Sequence, residues 1–133
     1  MSSLIAKVLE IQSSENINIV KFEIESEILS MVSLDINSDI YIGRTVKLLV
    51  NSTHVAVAKN LSGELSYENQ IRAKIETIRE GNLLTYITLA FGKSQLESII
   101  TKESSLAMKL SVDDSVTILI NASELSICEI LDD

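Results

Sequence analysis

The sequence predicts an all-β protein built from two similar five-stranded halves, and three observations lead to this fold class. Apolar and polar residues alternate with a period of two along most of the chain, as in strands that bury one face. Isoleucine, valine and threonine, which favour strands, are frequent in these segments. The same order of apolar segments also occurs twice within the 133 residues.

The repeat is clearest at the beginning and at the end of each half. LIAKV at residues 4–8 is matched by IRAKI at 71–75, and LLVNSTHVAV at 48–57 by ILINASELSI at 118–127. Chance similarity between two β-rich stretches is the alternative. We interpret the pattern as a duplication, with a first repeat at residues 1–60, a linker at 61–66 and a second repeat at 67–133. Because a module of about 65 residues buries only ~60% of its extended surface, the halves are expected to support each other.

Ten strands and one helix are predicted, separated by polar or glycine-containing turns. The strands lie at residues 4–11, 17–25, 27–34, 45–51 and 54–58, and at 70–78, 83–90, 94–100, 115–120 and 124–128. The helix covers residues 102–110, because Thr101 can cap its first turn and Glu103 favours the positive end of its dipole. Five strands with a short helix between the third and the fourth describe a small OB-like barrel. The sequence therefore predicts two OB-like barrels in tandem.

The charge balance and the apolar pattern exclude several classes of partner. The chain has 19 acidic and 11 basic residues, and the net charge of −8 disfavours nucleic acid and anionic membrane surfaces. An OB-type nucleic-acid binder also needs stacking aromatic residues, whereas this chain has no Trp. No apolar run approaches the ~20 residues of a membrane span, so no membrane insertion is expected. With one cysteine and no export signal, a cytoplasmic protein is expected.

Residues that carry chemistry are few, and the sequence does not predict an enzyme. His54 and Cys128 are the only histidine and cysteine, so no cluster has metal-ligand spacing and no metal site is predicted. The four glycines lie far apart and form no phosphate-binding loop. Cys128, near a strand end, is predicted to be a small buried apolar residue.

Three segments of the second half, SYENQIRAKI, ITKESSLAMKLS and INASELSI, resemble in order and spacing the molbindin or Mop pattern of the molybdate-associated TOBE domain. The family's opening Ser-Ala-Arg-Asn-Gln corresponds to residues 66–70, its Ile-Thr-x-x-Ser to 100–104, and its closing Lys-Ser/Ala-Thr/Ser-Asp-Val to 121–125. The first half is similar only at Ser33 and at residues 51–55. This resemblance implies that molybdate or tungstate binds at the subunit interfaces of a homo-oligomer, and that no organic cofactor is needed.

The resemblance also implies a set of oxyanion-binding residues. A tetrahedral oxyanion has only acceptor atoms, so it needs N–H and O–H donors, which turns and helix starts supply. The candidates are Ser66, Asn69, Thr101, Lys102, Ser104, Asn121, Ala122 and Ser123 in the second half, and Ser33, Asn51, Ser52 and Thr53 in the first. We expect the backbone amides of residues 102–104 to face the ligand. The residues alone are equally compatible with a helix cap at Thr101 and with ordinary turns at residues 51–53 and 121–123.

Three positions depart from the family pattern. Glu68 stands where the opening motif has arginine, and Asn51 and Asn121 stand where the closing motif has lysine. A charge-assisted hydrogen bond contributes about 1.5–3 kcal/mol, so these departures predict affinity that is weaker by one or more orders of magnitude.

Two functions follow from the resemblance and its departures. The first is a cytoplasmic molybdate- or tungstate-binding protein in molybdenum storage, transport or homeostasis. The second is a TOBE-type interaction or regulatory module that acts through protein partners, such as a molybdate transporter subunit. In both cases the exposed strand edges of small barrels favour a homo-oligomer, either a dimer or a trimer.

Overall fold

The computed structural model describes residues 1–131, in which ten strands are joined by turns, one α-helix and two 3₁₀ turns. The first half contains β1 (Ser2–Ser14), β2 (Ile17–Ile24), β3 (Glu27–Ser33), β4 (Thr45–Val50), a 3₁₀ turn (Ser52–His54) and β5 (Ala56–Ala58). The second half contains β6 (Asn69–Glu80), β7 (Leu84–Phe91), β8 (Ser94–Thr101), α1 (Lys102–Ala107), β9 (Ser115–Ile120), a 3₁₀ turn (Ala122–Glu124) and β10 (Ser126–Ile130). We call the two 3₁₀ turns the first and second closing turns.

The predicted order of elements is confirmed, and the differences lie at element ends. The two fifth strands begin later than predicted because the closing turns precede them. Helix α1 ends at Ala107, earlier than predicted, because Lys109 has a φ of 52° and leaves the helical region.

The strands form two antiparallel five-stranded sheets, and each sheet takes one strand from the other half. The orders are β10-β4-β1-β2-β3 and β5-β9-β6-β7-β8. Strand β5 of the first half pairs with β9, and β10 of the second half pairs with β4. The boundary between the two repeats, at residues 61–66, is therefore not a boundary between the two sheets. Because each fifth strand is exchanged, the halves cannot separate without breaking both sheets.

One apolar core runs through both halves. Along β1 every second residue from Leu4 to Val8 is buried, and along β6 the same holds from Asn69 to Ile75. Phe22 in β2 and Leu89 in β7, at matching positions of the repeat, have no exposed surface. The buried side chains of both sheets belong to a single cluster, so the two small modules share one core.

Strand β10 lies at an edge of its sheet and carries a bulge. The pairing with β4 shifts register between Ile127 and Glu129, and Cys128 in the bulge is exposed. The prediction that Cys128 is buried is therefore wrong, because a bulge re-aims the side chain of the extra residue. Among residues 1–131, no helix is long and apolar enough to cross a membrane.

Candidate functional site

Asn69, the asparagine of the opening motif, joins the two halves. Its side chain is 1% exposed, with Oδ1 accepting from the Ser30 amide at 2.7 Å and Nδ2 donating to the Ser30 carbonyl at 3.0 Å. At the matching place in the first half, Ser2 Oγ accepts from the Glu97 amide at 2.8 Å. The residue that begins the first strand of each half thus hydrogen-bonds to the third strand of the other half. Both ends of the Asn69 amide are already used inside the protein.

The closing turns are built by local hydrogen bonds. Asn51 Oδ1 accepts from the Thr53 amide at 3.1 Å and from Thr53 Oγ1 at 3.0 Å. Asn121 Oδ1 accepts from the Ser123 amide at a longer 3.4 Å. Each asparagine has extended backbone angles and caps the 3₁₀ turn that follows it. In both closing motifs the asparagine side chain therefore bonds locally to the backbone of its own turn.

The middle residue of each closing motif points inward. Ser52 is buried, and its Oγ donates to Glu97 Oε1 on β8 at 3.1 Å. Its counterpart Ala122 is 3% exposed and packs in the second closing turn. These two residues fix the turns against the sheets, whereas Ser123 lies on the exposed surface.

The two closing turns and the opening motif meet at one cavity of about 220 Å³. Its lining consists of Thr53, His54, Ala56, Tyr67, Asn121 and Glu124. Across it His54 Nδ1 lies 2.8 Å from Glu124 Oε2, so the first closing turn contacts the second directly. Strand exchange explains this convergence, because each closing turn immediately precedes a strand that crosses to the other half. We call this space the closing-turn cavity.

The middle motif forms the start of α1. Thr101 caps the helix: its Oγ1 accepts from the Ser104 amide at 3.1 Å and donates to Ser104 Oγ at 2.9 Å. The Lys102 amide donates to the Leu83 carbonyl at 2.8 Å. Contrary to the sequence-based expectation, the amides of Lys102 and Ser104 are thus used inside the protein. What this motif presents to solvent are the hydroxyls of Thr101 and Ser104.

The middle motif does not lie beside the closing-turn cavity in the sheet. Thr101 pairs with Leu84, next to the Glu80 end of β6, whereas Asn69 at the other end of β6 pairs with Ile120. The opening and closing motifs are therefore neighbours, and the middle motif lies at the opposite end of the same strand.

The remaining two candidates lie apart from the cavity lining. Ser33 Oγ donates to the Asp35 carbonyl at 2.7 Å, at the end of β3. It lines a larger groove of about 790 Å³ that separates β3 from β10. Ser66 is exposed in the segment before β6, next to Tyr67 of the cavity lining.

Apart from Ala56, three residues that line the closing-turn cavity were not among the sequence-based candidates. They are His54, Glu124 and Tyr67. His54 and Glu124 are the fourth residues of the two closing motifs, so aligning the repeats places an imidazole opposite a carboxylate at equivalent positions. That signal was present in the sequence, but only the exchange of strands shows that the equivalent positions touch.

A second charged cluster secures α1 and is structural. Lys59 Nζ lies 3.1 Å from Asp114 Oδ2 and donates to the carbonyls of Met108 and Lys109, just after the helix. The Ser111 amide donates to Asp114 Oδ2 at 2.9 Å. This backbone hydrogen bond, and then Lys59, lower the pKa of Asp114 below its ordinary value, since both stabilise the carboxylate.

Comparison with known proteins gives a match to a family model and matches to solved structures. Residues 65–127 match the family model of the TOBE domain, which confirms the resemblance seen in the second half. The chain also superposes on the cytoplasmic molybdate-binding protein ModG, crystallised with molybdate bound, with a TM-score of 0.88. The match covers 94% of this chain and 93% of ModG at 23% identity, so it shows the fold and confirms two OB-like units. No curated protein sequence matches the chain.

Proposed function

We propose, from the premise that residues 65–127 form a TOBE domain, that this chain is a cytoplasmic oxyanion-binding protein whose ligand is molybdate or tungstate. The observation that carries the proposal is the fold shared over 94% of the chain with the molybdate-bound ModG. The proposed role is storage, transport or homeostasis of the anion, so it is binding and not catalysis.

The donors that we assign to the ligand are neutral and come from short turns. Asn121 and Tyr67 line the closing-turn cavity and offer a side-chain amide and a phenol as donors. The Thr53 hydroxyl, which also lines the cavity, donates to Asn51 Oδ1 at 3.0 Å and has to rotate away from it to donate to the ligand. Oxyanions accept hydrogen bonds from such groups without needing a positive field from the whole protein. We give Asn69, Ser52 and Ala122 a positioning role, because their buried side chains hold the turns and the sheets together.

The proposed ligand site is completed by another copy of the chain. Thr101 and Ser104, with Lys102 beside them, lie at the opposite end of β6 from the cavity, so in one chain they do not join its lining. Large apolar side chains are exposed on the surface, among them Leu83 at 80% and Ile5 at 62%. Such exposed apolar residues favour contact between copies, and we propose a homo-oligomer, either a dimer or a trimer.

Isothermal titration tests the proposal. Molybdate and tungstate are titrated into the protein in parallel with sulfate and phosphate, and light scattering records the oligomeric state before and after. We expect saturable heat with molybdate or tungstate, and an oligomer that the ligand stabilises. No heat with either anion at about millimolar concentration would contradict the proposal.

A second candidate function is an interaction or regulatory module that has lost its oxyanion. The observation in its favour is Glu124 in the closing-turn cavity, together with asparagines where the family motif has lysines. Such a module would bind a protein, for example a molybdate transporter subunit, through its exposed strand edges. Affinity purification from the native cell tests it, and recovery of no partner would count against it.

A further inference from the structure

We propose that the closing-turn cavity binds its oxyanion together with a proton, and that His54 takes up this proton. His54 then supplies the positive charge that the family's lysine supplies at the closing motif, where this chain has Asn51 and Asn121. The inference rests on the proposed function, because it concerns the same ligand and the same cavity.

The repeat shows why a histidine here is informative. The fourth position of the closing motif is acidic in the family pattern and is Glu124 in the second half, but it is His54 in the first. In the structure these two equivalent residues contact each other, with His54 Nδ1 at 2.8 Å from Glu124 Oε2. With an acidic residue at both positions, two negative charges would face each other at this place. With His54 at the first position, a carboxylate instead faces an imidazole, which can take up a proton.

Protonation of His54 changes what the cavity offers to an anion. In the neutral imidazole Nδ1–H donates to Glu124, which leaves Nε2 with a lone pair that repels oxyanion oxygens. In the imidazolium both nitrogens are donors, so Nε2–H becomes available while Nδ1–H still holds Glu124. Within residues 1–131 the imidazole of His54 has no other polar partner, and the side chain is 50% exposed, so a small anion can reach it.

The other ionisable groups around His54 are acids, which are neutral when protonated. Glu124 lines the cavity with Tyr67, Glu97 lies behind the first closing turn on β8, and Glu68 follows Tyr67 in the chain. None of these neighbours gains a positive charge by taking up a proton, whereas an imidazole does. His54 is therefore the group among them that can become cationic when an anion arrives.

Calorimetry measures the proton directly. Sodium molybdate is titrated into the wild-type protein at about pH 6, 7 and 8, each in two buffers with different ionisation enthalpies. Molybdate stays a dianion in this range, so it does not itself take up the proton. We expect uptake of about one proton per anion where the histidine is neutral, and affinity that falls by up to about tenfold per pH unit there.

Two variants of His54 separate charge from titration. H54K carries a fixed positive charge, so we expect tight molybdate binding without proton uptake and without pH dependence across the range. H54Q cannot be charged, so we expect it to bind at all pH values as weakly as the wild type does at about pH 8. The control is K21Q, which removes the exposed Lys21–Glu10 pair at 3.9 Å, and it is expected to keep the wild-type pH profile.

The outcomes distinguish this inference from the proposed function. Wild-type binding of molybdate with no proton uptake, or unchanged binding and pH dependence in H54Q, would overturn the role of His54 and leave oxyanion binding intact. Absence of binding by the wild type at every pH would overturn both. The number of protons taken up is measured on the wild type. The inference can therefore be tested even if H54Q or H54K folds poorly.

Discussion

The two halves of the chain have the same five strands but differ between the third and the fourth. In the second half this segment contains α1 (Lys102–Ala107), whereas residues 34–44 of the first half form turns without a helix. Lys59 on the first-half chain secures the end of α1 through the Met108 and Lys109 carbonyls. The second half has Glu129 at the position equivalent to Lys59, and a carboxylate cannot donate hydrogen bonds to backbone carbonyls. Beside Glu129 an open groove of about 790 Å³ lies next to residues 34–37. The barrel thus tolerates change in this segment, while the strands and the closing turns are kept.

The largest effect that we predict tests whether the halves fold as one unit. Phe22 and its counterpart Leu89 have no exposed surface, so F22A is expected to destabilise the protein by about 3–5 kcal/mol and L89A by about 2–5 kcal/mol. Because the fifth strands are exchanged, each variant is expected to lower the midpoint of one common unfolding transition in urea. Two separate transitions, with each variant shifting only its own half, would contradict the shared core.

A smaller effect is expected at the bridges between the halves. N69A leaves the Ser30 amide and carbonyl without their side-chain partner in a buried place, at a cost of about 1–3 kcal/mol for an unsatisfied group. The matched variant S2A removes one hydrogen bond, to the half-buried Glu97 amide, and is expected to cost less. Urea unfolding of both variants measures the difference in their free energies of unfolding. Equal losses of stability would contradict the larger contribution that we assign to Asn69.

The smallest effect concerns the cluster of Lys59 and Asp114 beside the end of α1. Because the pKa of Asp114 is lowered on folding, its carboxylate adds stability above its unfolded pKa of 3.8, and this contribution is lost as the pH falls through the folded pKa. D114N lacks that contribution, so its stability is expected to lie slightly below the wild type near neutral pH and to converge with it in acid. Thermal unfolding between neutral pH and about pH 3 measures this, and a constant difference would refute the assignment.

Much of the fold could be predicted from the sequence, because alternation of apolar residues determines which face of each strand is buried. Burial along β1 and β6 follows the pattern of the two repeats residue by residue. The exchange of β5 and β10 could not be predicted, since a strand of three to five residues has the same pattern whichever sheet it joins.

The candidate site was predictable only in part. Motif spacing identified the closing turns, and these do border the cavity through Thr53 and Asn121. It could not show that Asn69 is buried against Ser30, because that contact crosses between the halves. For the same reason His54 was not singled out as a site residue, since its partner Glu124 lies in the other repeat.

Oxyanion binding in the closing-turn cavity is tested most directly by anomalous diffraction from a crystal grown with molybdate, recorded at the molybdenum edge. We predict a molybdenum peak in the closing-turn cavity, within hydrogen-bonding reach of Asn121 and Thr53, with His54 beside it. A crystal at saturating molybdate without a peak there, with the His54–Glu124 pair closed over the space, would contradict it.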